Sequence, residues 1–121
     1  IKFISRVPYL ELFDYTTECD IGWLVIRGRG VSNQFAMPNK LFEYTLMGLP
    51  VISSSLQNLR GFVKKYNLGI VVDENNVNEQ LYAIQYIKNN TIQYNHIKET
   101  VQKNFTWDIQ HKKFISLINE K

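Results

Sequence analysis

Short apolar runs alternate with segments of helical periodicity along this chain. The run at residues 20–26 is almost entirely apolar after its first residue, which is typical of a strand buried on both faces of a parallel sheet. Val51-Ile52 with Ser53 and the apolar run at residues 69–72 are predicted to form further strands. The segments between them repeat apolar residues every three or four positions, as amphipathic helices do. This order predicts an α/β fold, a three-layer Rossmann-like parallel sheet with helices on both faces and right-handed crossovers.

Residues 1–5 are predicted to form one more short strand, which makes a sheet of about four strands. Helices are predicted over residues 9–17, 39–47, 55–66, 92–104 and about 106–119, and another ends at Asn89. Ser55 is a candidate N-cap, and Asn76 or Asn78 is expected to begin the helix that ends at Asn89. Gly48 is expected to stop the helix at 39–47. Trp23 is expected in the core, and Trp107 is expected either in the core or in the packing between the last helix and a domain.

Composition narrows the class of protein without naming a function. The 121 residues predict a single domain over 1–121, and 45% hydrophobic with 21% charged residues excludes a disordered chain. The net charge of +3 suits a phosphorylated ligand, an anionic lipid or a nucleic acid, or serves solubility alone. One cysteine, Cys19, excludes an internal disulfide, and no His/Cys cluster has metal-ligand spacing.

The segment at residues 38–52 contains the strongest candidate ligand-binding residues of the chain. It reads as a loop end, a short helix and a buried strand, with Lys40 at the helix start and Glu43 one turn later. Unpaired N–H groups at a helix start and a lysine together suit a diphosphate, and a carboxylate one turn on suits sugar hydroxyls. Ligands in such sheets bind beyond the carboxyl ends of the strands, which points to residues 5–7, 27–38 and 53–55. Ordinary solvated surface charge is the alternative for both residues.

Several segments, taken in order, resemble a known family over nearly the whole chain. They are Val-Pro-x-x-Glu-Leu at 7–12, Ser-Asn at 32–33, Pro-Asn-Lys-Leu-Phe-Glu-Tyr at 38–44, Gly-x-Pro-Val-Ile at 48–52, Leu-Gly-Ile-Val-Val-Asp at 68–73 and Phe-Thr-Trp-Asp at 105–108. The pattern is similar to the C-terminal, nucleotide-sugar-binding domain of GT-B retaining glycosyltransferases (glycosyl transferases group 1). The segment at 38–44 is the specific part, and the others are weak alone.

The resemblance implies a hexosyltransferase-class enzyme. It would move a sugar from a nucleotide-diphosphate-sugar to an acceptor in bacterial polysaccharide or glycolipid biosynthesis, without a metal or another cofactor. Glu43 would hold the ribose, and the loop and helix start from Phe35 to Lys40 would hold the diphosphate and donor sugar. Arg6 and Val7 would border the base, and no catalytic residue is identified in this chain. The full set of implied donor-binding residues is Arg6, Val7, Ser32, Asn33, Phe35, Met37, Pro38, Asn39, Lys40 and Glu43.

The chain departs from the family pattern in two ways. Phe35 stands where the first glutamate of the family's Glu-x7-Glu motif would fall, which puts donor-sugar contacts there in doubt. The family domain begins with two more β-α units, so we expect this chain, which starts at Ile1, to be an inactive fragment of a longer polypeptide. The strand at 1–5 would then pair beside residues 21–26 or with a second copy.

The same resemblance sets the expected partners and location. The partners are the nucleotide-sugar donor and an N-terminal domain of the same polypeptide, to which the helix at 106–119 would cross back. A homodimer of the fragment and peripheral membrane association stay open, and no nucleic acid is expected. The location is cytoplasmic, with the inner face of the membrane as an option.

Three other functions compete with this interpretation. A non-catalytic binding or regulatory α/β module would need an acidic pocket at the strand ends, where Asp73 stands alone. A sugar-nucleotide epimerase would need catalytic acids and a histidine lining the cleft, and neither His96 nor His111 is placed for that. An RNA-binding module would need basic and aromatic residues together on one face.

Overall fold

Three parallel strands form the central sheet. In this computed structural model, which describes residues 2–120, β1 (Gly22–Leu24) pairs with β2 (Val51–Ser54), and β2 pairs with β3 (Gly69–Val72). The strand order is β1-β2-β3, and Trp23, Ile52 and Ile70 lie side by side across the sheet. The predicted α/β class with a parallel sheet is therefore confirmed, with three strands where about four were expected.

Helices occupy most of the remaining chain. They are α1 (Tyr9–Thr17), α2 (Val31–Gln34), α3 (Asn39–Leu46), α4 (Gln57–Lys65), α5 (Val77–Asn89), a short 3₁₀ helix (Thr91–Tyr94), α6 (Ile97–Phe105) and α7 (Trp107–Asn119). Two details differ from the sequence interpretation. The loop at 27–37 contains α2, and the helix predicted at 92–104 is divided into the 3₁₀ helix and α6.

The core forms around β2, whose four residues are all buried. A central strand of a parallel sheet is covered on both faces, and β2 buries the hydroxyl side chains of Ser53 and Ser54 together with Val51 and Ile52. The helices supply the rest of the core with residues spaced to fall on one helical face. The buried side chains that they contribute are Leu41 from α3, Leu59 and Val63 from α4, Ala83 and Ile87 from α5, and Ile97 and Val101 from α6.

Two glycines are required by the backbone that joins these elements. Gly48 has φ +85 directly after α3, a left-handed conformation that favours glycine and ends the helix as predicted. Gly69 begins β3 with φ +156, and a Cβ built there would lie 1.8 Å from the carbonyl oxygen of Val51. Any side chain at position 69 would therefore push β3 away from β2.

The predicted strand at residues 1–5 is not found. Residues 2–8 have no regular secondary structure, the side chain of Phe3 is 89% exposed, and Ile1 lies outside the described residues. The expected pairing of this segment beside residues 21–26 is therefore wrong. A short extended segment is stabilised only by a neighbouring strand or a covered face, and this one has neither.

The edge position of β1 explains a second wrong expectation. Among residues 2–120, β1 has β2 as its one strand partner, and its paired part is three residues long. The side chain of Trp23 is consequently 46% exposed and does not lie in the core. The apolar run at 20–26 has the composition of an interior strand but occupies an edge.

Helix ends and the last helix show further differences. Ser55 does not cap α4, whose N-cap position is taken by Leu56 without a side-chain bond. Asn76 does cap α5, because its side chain accepts the Glu79 N–H at 3.2 Å.

Helix α7 packs against α6, has no buried residue and leaves the side chain of Trp107 77% exposed. Among the described helices, none combines the length and apolar character that crossing a bilayer requires.

Candidate functional site

Helix α3 carries the two central candidate residues, Lys40 in its first turn and Glu43 one turn later. It connects the parallel strands β1 and β2, so it must run back across the sheet and begin near their carboxyl ends. Pro38 occupies the N-cap position with φ −70 and ψ 142, and no side chain caps the helix. The first N–H groups of α3, at Asn39 and Lys40, have no partner within the helix and are available to a ligand.

Lys40 and Glu43 line the same cavity. It has a volume of about 320 Å³ and lies between α1, β1 and α3, and its apolar wall includes Leu12, Tyr15 and Trp23. The Glu43 side chain is partly buried, and its Oε1 accepts a hydrogen bond of 3.4 Å from the hydroxyl of Tyr9. The cavity thus offers one cation, one carboxylate and an aromatic surface within a single concave space.

Tyr44 forms part of the floor of this cavity. A Cβ at Gly22 would lie 2.5 Å from the Tyr44 ring, so the glycine in β1 is what allows the ring to pack on the strand. Burial raises the pKa of the Tyr44 hydroxyl, and the electrostatic effects of the neighbouring Glu43 and Cys19 raise it further. Tyr44 therefore stays neutral at ordinary pH and contributes a hydroxyl and an apolar ring face.

The loop before α3 is held by its own hydrogen bonds. Ser32 and Asn33 lie in α2, and the Asn33 side chain donates to the carbonyl of Arg27 at 3.3 Å. Phe35 follows α2 with its ring half exposed, and its carbonyl accepts a bond of 2.9 Å from the Asn58 side chain. Met37 lines a different groove, beside α4, so it does not contribute to the cavity of Lys40 and Glu43.

Arg6 and Val7 lie in the irregular segment before α1, three and two residues before Tyr9. The contact between Tyr9 and Glu43 brings the start of α1 close to this carboxylate. Neither Arg6 nor Val7 lines the cavity, however, and Arg6 is exposed. The structure therefore places Lys40 and Glu43 together with Tyr9 beside them, and none of the other implied residues lines this cavity.

Glu74 is a residue that sequence reasoning missed. Both of its carboxylate oxygens accept the backbone N–H of Gly28, at 3.0 and 3.2 Å. The side chain of Gln34 donates to the carbonyl of the same glycine at 3.4 Å. Glu74 follows β3 almost directly, and its position at the carboxyl end of a strand is the signal that could have drawn attention to it.

Comparison with known proteins identifies no relative of this chain. No family model, no curated protein and no solved structure gives a significant match. Within residues 2–120, no three His, Cys, Asp or Glu side chains are grouped in a way that would hold a metal ion.

Proposed function

We propose that this chain is the donor-binding portion of a GT-B retaining glycosyltransferase, which transfers a sugar from a nucleotide-diphosphate-sugar to an acceptor in polysaccharide or glycolipid biosynthesis. The observation that carries the proposal is the cavity that Glu43 shares with Lys40, a residue of the uncapped first turn of α3. The parallel α/β sheet is compatible with the Rossmann-like half of such an enzyme, in which ligands bind beyond the carboxyl ends of the strands, where α3 begins.

In this proposal the diphosphate lies at the start of α3. The N–H groups of Asn39 and Lys40 donate to phosphate oxygens, the positive end of the helix dipole favours the anion, and the Lys40 ammonium adds a full charge. Pro38, which has no N–H, takes the cap position and leaves the following donors unobstructed. No metal is needed in this arrangement, because backbone donors and Lys40 meet the charge of the diphosphate.

Glu43 then holds the ribose. Three residues of helix separate it from Lys40, a rise of about 4.5 Å along the axis, which is comparable to the span between a ribose hydroxyl and the diphosphate. An ionised carboxylate accepts hydrogen bonds from both ribose hydroxyls, and the Tyr9 hydroxyl orients it from the side of α1. Arg6 and Val7 border the base on the same side.

The donor sugar lies along the loop before α3. Backbone groups from Phe35 to Pro38 contact it, and Ser32 and Asn33 shape the turn that carries them. The ring of Phe35 is half exposed. It offers the sugar an apolar face at the position where the first glutamate of the family's Glu-x7-Glu motif would offer a carboxylate. The acceptor site and the opposite wall of the cleft come from an N-terminal domain of the same polypeptide, in the cytoplasm or at the inner face of the membrane, and this chain alone is inactive.

Donor kinetics of the full-length enzyme test the proposal. Glu43→Ala should raise the donor KM strongly, because it removes the ribose acceptor, and an unchanged KM would reject the role of Glu43. Glu11→Ala, which removes an exposed carboxylate from α1 outside the cavity, is the matched control. For the isolated chain, saturation-transfer NMR with a panel of nucleotide-sugars should detect weak binding or none. Donor binding without transfer by the full-length protein would favour a non-catalytic module.

A further inference from the structure

A second cavity lies at the carboxyl ends of β2 and β3. Its volume is about 530 Å³, and neither Lys40 nor Glu43 lines it. Its polar walls come from the loop after β2, from α4, and from the loop between β3 and α5. The charged and hydroxyl side chains that line it are Ser55, Arg60, Lys64, Asp73, Glu74 and Glu79.

The three carboxylates of this cavity already accept backbone N–H groups. Glu74 accepts from Gly28 at 3.0 and 3.2 Å, and Glu79 accepts from the N–H of Asp73 at 2.7 Å. Oδ1 of Asp73 in turn accepts from the N–H of Asn75 at 2.8 Å. The bonds to Asp73 and Glu79 hold the loop between β3 and α5, and the bonds to Glu74 tie the loop after β1 to it. Glu79 in the first turn of α5 also offsets the dipole of that helix.

The two cations of the cavity are not compensated in this way. Arg60 and Lys64 are four residues apart on α4 and thus lie on one face of it. Among residues 2–120, neither forms an ion pair, and the single ion pair found there joins Lys103 to Glu99. The first turn of α4, which contains Arg60, has no acid and no side-chain cap, and Lys64 lies in the last turn. Positive charge on the α4 side of the cavity is consequently available to a ligand.

We propose that this cavity binds the oxyanion, a phosphate or a carboxylate, of a small hydroxylated ligand. The planar guanidinium of Arg60 can donate two parallel bonds to the oxyanion, and the ammonium of Lys64 supplies a second charge. The remaining lone pairs of Asp73 and Glu79 accept bonds from the ligand's hydroxyl groups. The volume lies in the range of small-molecule sites, and the location is the end of the sheet at which α/β folds bind ligands.

A titration followed by amide NMR of the ¹⁵N-labelled chain tests this site directly. Three probes separate the chemistries: glucose 6-phosphate carries a phosphate, glucuronate carries a carboxylate, and glucose carries hydroxyls alone. We expect saturable shifts at the amides of residues 55–60 and 73–75 with at least one acid, weakened by added salt, and none with glucose. The acid that binds identifies the oxyanion. The absence of saturable shifts with both acids, or equal shifts with glucose, would overturn the proposal.

Adjacent lysines on α4 provide the matched control. Lys64 lines this cavity, whereas Lys65 lines the groove on the other side of the helix. The double variant Arg60→Gln/Lys64→Gln should lose at least tenfold in affinity, and Lys65→Gln, with the same loss of charge as Lys64→Gln, should bind as the parent does. An unchanged affinity in the double variant, or an equal loss in Lys65→Gln, contradicts the assignment. Glu43→Ala should leave this binding unchanged, so the site stands or fails separately from the proposed donor site.

Discussion

The hydroxyl of Tyr9 donates a hydrogen bond of 3.4 Å to Oε1 of Glu43 and thereby joins the start of α1 to the middle of α3. The two residues are 34 positions apart in the sequence. Because the bond is exposed, its contribution to folding is small, but it restricts the rotamers of the carboxylate that faces the cavity. A preoriented acceptor loses less conformational entropy when a ligand binds.

Tyr9→Phe removes this hydrogen bond and keeps the ring. We expect the free energy of unfolding to fall by less than about 1 kcal/mol, since an exposed hydrogen bond has a small net value. Under the proposed function, the donor KM of the full-length enzyme should rise by less than in Glu43→Ala, because the carboxylate remains but is no longer oriented. Urea denaturation and donor kinetics measure the two effects.

Tyr15→Phe is the matched control for Tyr9→Phe, because Tyr15 also belongs to α1 and lines the same cavity. It should leave the donor KM unchanged. If Tyr9→Phe raised the KM as much as Glu43→Ala, or if Tyr15→Phe had the same effect as Tyr9→Phe, the hydrogen bond would not be what orients Glu43.

Glu74→Ala should loosen the loop that follows β1. It leaves the partly buried N–H of Gly28 without an acceptor, which costs about 1–3 kcal/mol. Amide hydrogen exchange at Gly28 should accelerate, and Glu74→Gln, whose amide oxygen still accepts, should lie between the parent and Glu74→Ala. The exposed Glu18→Ala is the control for loss of a charge. Unaltered exchange at Gly28 in Glu74→Ala would show that the loop is held by other contacts.

The three strands of the sheet could be predicted because short, mainly apolar segments stand out at 20–26, 51–53 and 69–72. The strand at 1–5 was predicted from composition alone, but a strand also needs a neighbour, and the sequence does not show whether one is present. The same limit applies to Trp23, whose exposure depends on β1 lying at the edge of the sheet.

The site was predictable to the extent that its residues are close in sequence. Lys40 and Glu43 share a cavity because one helical turn joins them. The bond from Tyr9 to Glu43 and the bond from Gly28 to Glu74 join residues 34 and 46 positions apart. No local periodicity encodes such pairs, since they follow from how α1 and the loop after β3 pack on the sheet.

Gly69→Ala should be among the most damaging single changes in the chain. The added Cβ would lie 1.8 Å from the Val51 carbonyl oxygen, which belongs to β2, so the pairing of β2 with β3 must open. Gly61→Ala is the matched control, because Gly61 lies within α4 with nothing within 4 Å of its built Cβ. We expect Gly69→Ala to lose more than about 3 kcal/mol and Gly61→Ala to gain about 1 kcal/mol. Urea denaturation compares them, and similar stabilities for the two variants would contradict the packing at Gly69.

Two tyrosines should make the protein sensitive to alkaline pH. Burial raises the pKa of Tyr94, with a further increase from Tyr86 that the hydrogen bond with Gln93 opposes, and burial also raises the pKa of Tyr44. Because the folded state holds these protons more tightly than the unfolded state, their contribution to stability is complete below the unfolded pKa of about 10. It is lost as pH rises through the folded pKa.

Urea midpoints measured from about pH 9 to about pH 12 should fall. Tyr94→Phe and Tyr44→Phe should each reduce that fall, whereas Tyr82→Phe, at an exposed position on α5, should not. An equally steep fall in the Tyr94→Phe/Tyr44→Phe double variant would assign the alkaline transition to other groups.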